Sequence, residues 1–300
     1  MLLEDVKKEF VFHCQCRKLS EKTIINYSHE IGYLIDFLNS EYLITDIEEV
    51  KPEHIKKFLV KVQRAGRTVN YINDLLKASK VFFKYAYEEE YTEKLITEKI
   101  HNAKGAKVII RTFTDNEVKR MISYYDGNDY LSIRNKTILL MLIDTGIRLS
   151  ELTGMKESQI KSDYIIIKGK GNKERVVPKS PMLGKWLIKY MNVRKAYFLY
   201  RAIPENIFLS KNGKPLGSAT IDKVVKEAGA NSEVSFDVRV SAHTFRHTYA
   251  QYQLKHGLDI YTLSRLLGHE SIAITQTYLN GIRDTEVLKQ GQKTSPLMNL

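Results

Sequence analysis

Tyr164-Ile165-Ile166-Ile167-Lys168-Gly169-Lys170-Gly171-Asn172-Lys173-Glu174-Arg175-Val176-Val177-Pro178 is the β-rich stretch of a chain that otherwise reads as helices. The two runs of β-branched residues, 164–168 and 175–178, flank Gly169 to Lys173, which has the composition of a hairpin turn. Downstream, apolar spacing predicts a long helix over about 181–201 and further helices near 217–228, 243–256, 259–267 and 271–279. Upstream, residues 131–144 form a strongly apolar helix. Before it, Thr114-Asp115-Asn116-Glu117 reads as a capping box that opens another helix.

The first hundred residues carry no strand signal. Ser20 is placed to cap a helix over 20–39, which sets Ile24, Tyr27, Ile31, Leu34, Ile35 and Leu38 at helical spacing. Pro52 suits the first turn of a helix that stops at Gly66, and Thr68 would cap the next. Between Ile100 and Arg111 the apolar period fails, so the linker is placed there. The expected organisation is a helical domain over 1–103, a linker over 104–111, a mixed α/β domain over 112–284 and a tail over 285–300. The fold class is therefore mainly α with a small β component, in two domains.

Composition narrows the function. The chain has 300 residues, 43% of them hydrophobic and 27% charged, which is ordinary for a globular protein. No apolar run approaches the roughly 18 residues of a membrane span, and the N-terminus lacks an apolar signal core. The two cysteines, Cys14 and Cys16, sit two apart, where helical side chains diverge. A disulfide or metal site from that pair is not expected, and a reducing compartment fits.

The net charge of +12 asks for a polyanionic partner. Residues 1–107 carry 18 Lys/Arg against 17 Asp/Glu, whereas residues 108–300 carry 29 against 18. The stretch 161–195 alone has 10 basic and 2 acidic residues. A solvated basic surface has the same composition, so charge alone decides nothing. A membrane surface is the weaker candidate, because this stretch holds a hairpin and not a basic amphipathic helix.

Four segments carry chemistry in combination. In Thr145-Gly146-Ile147-Arg148-Leu149-Ser150-Glu151-Leu152 an arginine follows a glycine break, where a guanidinium can be held rigidly to fork two phosphate oxygens. Lys173 sits at the hairpin tip, as a point charge or proton donor. In His243-Thr244-Phe245-Arg246-His247-Thr248 the i, i+3 spacing puts His243 and Arg246 on one face, while His247 falls off it and reads as structural. Leu267-Gly268-His269 is followed nine residues on by Tyr278. Singly, each is more often a cap arginine, a solvated lysine or a core tyrosine. Together they supply what metal-free phosphoryl transfer needs: Arg148 and Arg246 to neutralise the transition state, His243 and His269 as further donors, Tyr278 as nucleophile and Lys173 to protonate the leaving hydroxyl. Two-metal nucleases need clustered carboxylates, and Asp144, Glu151, Glu174 and Glu270 are scattered. Glu151, three residues after Arg148, is expected to orient that arginine.

These four motifs, in this order, resemble the tyrosine recombinase family, the phage-integrase and Xer-like enzymes, over nearly the whole chain. The resemblance implies a helical, SAM-like core-binding domain followed by a catalytic domain of the tyrosine recombinase type. It also implies catalytic roles for Arg148, Lys173, His243, Arg246, His269 and Tyr278. Such enzymes join tyrosine to a 3′-phosphate and free a 5′-hydroxyl, so no ATP, metal or other cofactor is expected. The implied partner is a double-stranded recombination site, gripped by a C-shaped clamp. Lys22, Asn26, Arg67, Asn70 and Lys77 of the first domain, with Lys170 and Arg175 of the hairpin, are the expected DNA contacts.

The family implies a tetramer on two sites, a monomer or weak dimer when not on DNA, and exchange of the tail from Thr285 onward between subunits. A cytoplasmic, nucleoid-associated location in a prokaryote or mobile element is implied as well. An accessory protein is left open. Two departures stand out: Ile274-Thr275-Gln276-Thr277 replaces the usual pair of threonines, and the linker lacks the usual proline. The absence of an arm-binding segment favours a simple recombinase over a lambda-type integrase. A type IB topoisomerase and a non-catalytic DNA-binding regulator of the same fold are the alternatives.

Overall fold

Ser20 does what its position suggests. Its hydroxyl accepts from the Thr23 backbone N–H at the start of helix α2 (Glu21–Tyr42), and Thr68 does the same for Tyr71 at the start of α4 (Val69–Glu88). Each cap satisfies an amide that the first helical turn leaves without a partner. With α1 (Leu3–Cys16) and α3 (Pro52–Arg64, proline in its first turn) they form one unit, Met1–Lys107. Its core gathers Phe10, Leu34, Leu38, Phe58, Phe82 and Phe83. Cys14 is buried and Cys16 exposed in the last turn of α1, and both are free thiols. The computed structural model describes residues 1–105, 110–169 and 173–281. The expected contact Lys170 and the expected tail exchange over 285–300 lie outside them.

The second unit, Val108–Leu300, starts its helices with the expected capping box. The Thr114 hydroxyl accepts from the Glu117 N–H, and the Glu117 carboxylate accepts from the Thr114 N–H at 2.7 Å, opening α5 (Asp115–Tyr124). The apolar helix α6 (Tyr130–Thr145) ends on Gly146 in the left-handed conformation, φ 58°. A side chain there would be doubly opposed, since a Cβ would also stand 2.4 Å from the Tyr249 ring. A five-residue helix α7 (Leu149–Thr153) leads to the hairpin. Its strands β1 (Tyr164–Lys168) and β2 (Glu174–Pro178) pair antiparallel, Tyr164 opposite Pro178 and Lys168 opposite Glu174.

Four longer helices, α8 (Pro181–Tyr197), α9 (Ser218–Ala230), α10 (Ala242–Lys255) and α11 (Ile260–Leu267), and the short α12 (Ile272–Gln276) complete the unit's helices among the described residues. The core of this unit runs from Ile138 and Leu142 through Ile165, Ile167 and Val177 to Phe245. Among the described residues no helix is long and apolar enough to cross a membrane.

Two elements are shorter than their periodicity suggests. The helix expected over 181–201 stops at Tyr197. There Tyr197 stacks on Tyr130 with ring centroids 4.3 Å apart, and Phe198 turns into the core. The helix expected over 271–279 breaks after Gln276 into a 3-10 turn, Thr277–Gly281. Ile272, Ile274, Thr275 and Thr277 are all β-branched, and the Thr277 hydroxyl donates to the Ile274 carbonyl, which weakens the helical ladder. The tighter turn carries Tyr278 inward, into a small cluster with Tyr249, Leu263 and Leu267.

Candidate active site

The C-terminal end of α11 is the hub of the site. The carbonyls of Leu266, Leu267 and Gly268 accept from three different arginines: Arg175 Nε at 2.8 Å, Arg246 Nη2 at 2.7 Å and Arg148 Nη2 at 3.2 Å. A helix C-terminus leaves carbonyls unsatisfied and carries partial negative charge, so it attracts cations. The helix stops there because Gly268 adopts φ 64°. A Cβ at Gly268 would press on Arg175 Cδ at 2.8 Å.

Arg148 caps α7 from an extended backbone and is fixed by Glu151. Its N–H donates to Glu151 Oε2 and its Nη1 to Oε1, both at 2.9 Å. Glu151 also takes a bidentate pair from Arg175, at 2.7 and 2.8 Å. Burial would raise the Glu151 carboxyl, but the hydrogen bonds and charges of Arg175 and Arg148 overcome it and hold the group below the usual carboxylate range.

Arg175, expected as a DNA contact, is tied into this network. Its side chain is 11% exposed, and all three of its guanidinium nitrogens already donate to Glu151 and Leu266. Removing the shared carboxylate should leave two adjacent guanidiniums uncompensated. Glu151→Ala is expected to lose about 3–5 kcal/mol in urea unfolding. A loss below about 1 kcal/mol would show the arginines to be held by the α11 carbonyls alone.

Ser241 caps α10, in which His243 is exposed and Arg246 buried. Arg246 is only 2% exposed, and Nη1 donates to the Gly146 carbonyl at 2.7 Å. Its pKa falls to about 10, through burial first and the charge of Arg148 second, yet it stays charged at neutral pH. Arg246 Nη2 also lies 2.9 Å from His269 Nε2, and His269 Nδ1 lies 2.8 Å from the Thr275 hydroxyl. Tyr278 is 3% exposed, its ring 6.1 Å from that of His269 and nearly parallel. Burial raises the Tyr278 phenol above its ordinary pKa, while the charge and hydrogen bonding of Arg246 and the charge of Arg148 pull it down.

His247 stands between two of the expected site residues, with ring centroids 4.2 Å from His243 and 5.2 Å from Tyr278, both edge-on. Burial and the neighbouring His243 and Arg246 lower its pKa to about 4. Burial and the guanidiniums of Arg246, Arg148 and Arg175 do the same for His269, and His243 is lowered too, by burial and Arg246.

A folded pKa below the unfolded 6.5 means that the unfolded chain takes up protons first as the pH falls. The stability these rings contribute is complete above about pH 6.5 and drains away toward pH 4, whereas the carboxylates held below their usual range act only at lower pH. The melting temperature should therefore drop between about pH 7 and pH 5, and drop less in His247→Asn. Equal drops in both would remove His247 from the account.

Lys173 sits at the rim. Its ammonium, 72% exposed, meets the Glu270 carboxylate at 2.9 Å. It lines a cleft of about 1020 Å³ together with Arg148, Glu151, Arg175 and His269. Arg148, Arg246, His243, His269 and Tyr278 thus converge, and Lys173 borders them. In the first unit Lys22, Asn26, Arg67, Asn70 and Lys77 are all exposed. Among the described residues no group of three or more His, Cys, Asp or Glu side chains could hold a metal ion. Sequence reasoning missed Thr275, since nothing in a threonine six residues after a histidine predicts their contact across a helix cap.

Two guanidiniums and a histidine beside a buried phenol make this an oxyanion-handling site, on a fold with a separate helical unit. The chain belongs to the phage integrase family, whose domain matches residues 111–282; residues 7–93 match the phage integrase N-terminal SAM-like domain. It is 28% identical to the tyrosine recombinase XerD of Halalkalibacterium halodurans over 264 residues, 87% of this chain and 88% of that one. To the tyrosine recombinase XerD of Staphylococcus aureus it is 27% identical over 279 residues, 92% and 94% of the two chains.

Among solved structures, XerH site-specific recombinase bound to a palindromic difH substrate superposes with a TM-score of 0.77 at 18% identity, covering 97% of this chain and 83% of that one. A lambda integrase dimer bound to a COC′ core site gives 0.75 at 20% identity, covering 94% and 78%. At such identities these structures establish the fold.

Proposed function

We propose that the protein is a site-specific DNA recombinase that cleaves and rejoins DNA through a covalent 3′-phosphotyrosine. The observation that carries this reading is the convergence of Arg246, His269 and Tyr278: Arg246 Nη2 lies 2.9 Å from His269 Nε2, and the Tyr278 ring lies 6.1 Å from that of His269. The phenol oxygen attacks the scissile phosphorus, its proton passes to water, and the bond to the 5′ oxygen breaks. Arg148 and Arg246 balance the charge that grows on the non-bridging oxygens, with His243 and His269 beside them. Lys173, released from Glu270, protonates the departing 5′ oxygen. Bond energy is kept in the phosphotyrosine, so rejoining needs no ATP.

In this reading the second unit carries the chemistry, and the first closes on the duplex through Lys22, Asn26, Arg67, Asn70 and Lys77. A tetramer on two sites is the working assembly, in line with the lambda integrase tetramer bound to a Holliday junction, to which this chain is similar in fold. The bacterial relatives support a cytoplasmic setting.

The test is a nicked suicide substrate carrying the DNA that flanks the gene. A covalent protein–DNA adduct, resistant to denaturant, is expected, and no adduct on any flanking sequence would remove the proposal. Binding should also be steeply salt-dependent. For roughly 6–10 phosphate contacts, affinity should fall about 10³–10⁵-fold between about 50 and 200 mM salt. A flat response would contradict a clamp built on charge.

A further inference from the structure

His269 was expected to donate to phosphate, yet its ring nitrogen is otherwise engaged. Arg246 has no acceptor, so at 2.9 Å from Arg246 Nη2 the His269 Nε2 must offer a lone pair. The ring proton is therefore on Nδ1, which donates to the Thr275 hydroxyl at 2.8 Å. Burial and three guanidiniums keep this ring neutral at physiological pH, with a pKa of about 4, so a second proton is not at hand.

Phosphate oxygens only accept. When a phosphodiester draws the Arg246 N–H groups to itself, a neutral His269 can help only through Nε2–H. Its Nδ1 must then accept a hydrogen bond instead of donating one.

We propose that the Thr275 hydroxyl is a positioning group that lets His269 change tautomer as phosphate binds. A hydroxyl serves both tautomers, because it can accept from Nδ1–H or donate to a bare Nδ1. A carbonyl or carboxylate there would lock the proton on Nδ1, and an apolar side chain would leave Nδ1 without a partner in either form. One proton leaves Nδ1 and one reaches Nε2 by exchange with water. The imidazole stays neutral, and no other bond is made or broken.

The position suits the role. Thr275 is fully buried, at 0% exposure, so water cannot stand in for its hydroxyl. It belongs to α12, which leads directly into the turn that carries Tyr278. The same five-residue helix therefore sets both the histidine's proton and the nucleophile's approach. This role rests on the recombinase reading for its purpose, but the tautomer can be read without any cleavage.

The experiment is long-range ¹H–¹⁵N NMR on the full chain with ¹⁵N-labelled histidine, the His269 signals being assigned by their loss in His269→Asn. Without added oxyanion, Nδ1 should carry the proton. With orthovanadate, a phosphate mimic, the proton should move to Nε2. Thr275→Ser should keep this exchange, whereas Thr275→Val should show mixed tautomers without vanadate and no clean exchange with it.

On the suicide substrate, Thr275→Val should cleave roughly tenfold more slowly, and Thr275→Ser should recover most of the loss. A melting curve on each variant separates misfolding from loss of the hydroxyl. An Nε2 proton before vanadate is added, a tautomer that vanadate leaves unchanged, or a valine variant equal to wild type in both readouts would overturn the role of Thr275. Failure of the wild type to form any adduct, with the tautomer exchange intact, would count against the recombinase reading alone.

Discussion

Tyr278→Phe is expected to abolish the covalent adduct while leaving the fold and DNA binding in place. The loss should be at least about 10⁴-fold in cleavage, because losing the nucleophile removes the whole covalent pathway. Packing should survive, since phenylalanine keeps the ring that lies against Leu263, Leu267 and Tyr249. The phenol's hydrogen bonding with Arg246 is lost, but Arg246 keeps the Gly146 and Leu267 carbonyls, so the melting temperature should change little. Binding should keep its affinity and salt slope, because the phenol carries no charge in the ground state: burial holds its pKa above the ordinary value. The decisive comparison is single-turnover cleavage with the nicked substrate, with a gel-shift control at the same salt. If the phenylalanine variant still formed an adduct, Tyr278 could not be the attacking group.

Much of this arrangement was legible in the sequence because it depends on residues with strong local preferences. Gly146 and Gly268 break their helices at positive φ, and each break sets a site residue, Arg148 or His269, at the start of the next segment. The caps at Ser20, Thr68 and Thr114 were equally readable, since each hydroxyl has one nearby amide to satisfy.

The partial burial of Arg175 was less legible, because a basic run suggests solvent. The strand period carried the opposite message: Arg175 lies two residues before Val177, so both share a face, and Val177 is fully buried while Val176 is exposed. The 3-10 turn that contains Tyr278 was hidden by its apolar spacing, which fits a helix as well. Thr275 was beyond sequence reasoning, since its contact with His269 exists only once α11 and α12 have turned about Gly268.

Arg246 is the residue whose replacement should cost most after Tyr278, and the form of the replacement decides what is learned. Alanine would strip partners from the Gly146 and Leu267 carbonyls and from His269 Nε2 at once. Each buried polar group left unpaired costs about 1–3 kcal/mol, so that variant tests folding more than chemistry. Arg246→Lys keeps the charge and can still reach one carbonyl, but it has no planar fork to span Gly146 and Leu267 together.

Cleavage by Arg246→Lys is expected to fall roughly 10²–10³-fold, the usual effect of losing one preorganised donor at a developing oxyanion. Stability should fall by about 1–3 kcal/mol, measured by urea unfolding, for the carbonyl left behind. The salt slope of DNA binding should not change, because the number of cationic contacts is unchanged. Rate and slope thus separate the two things this arginine can do. A variant that cleaves within about threefold of wild type would mean that charge alone suffices, and that the fork held by the Gly146 and Leu267 carbonyls is architecture without catalytic consequence.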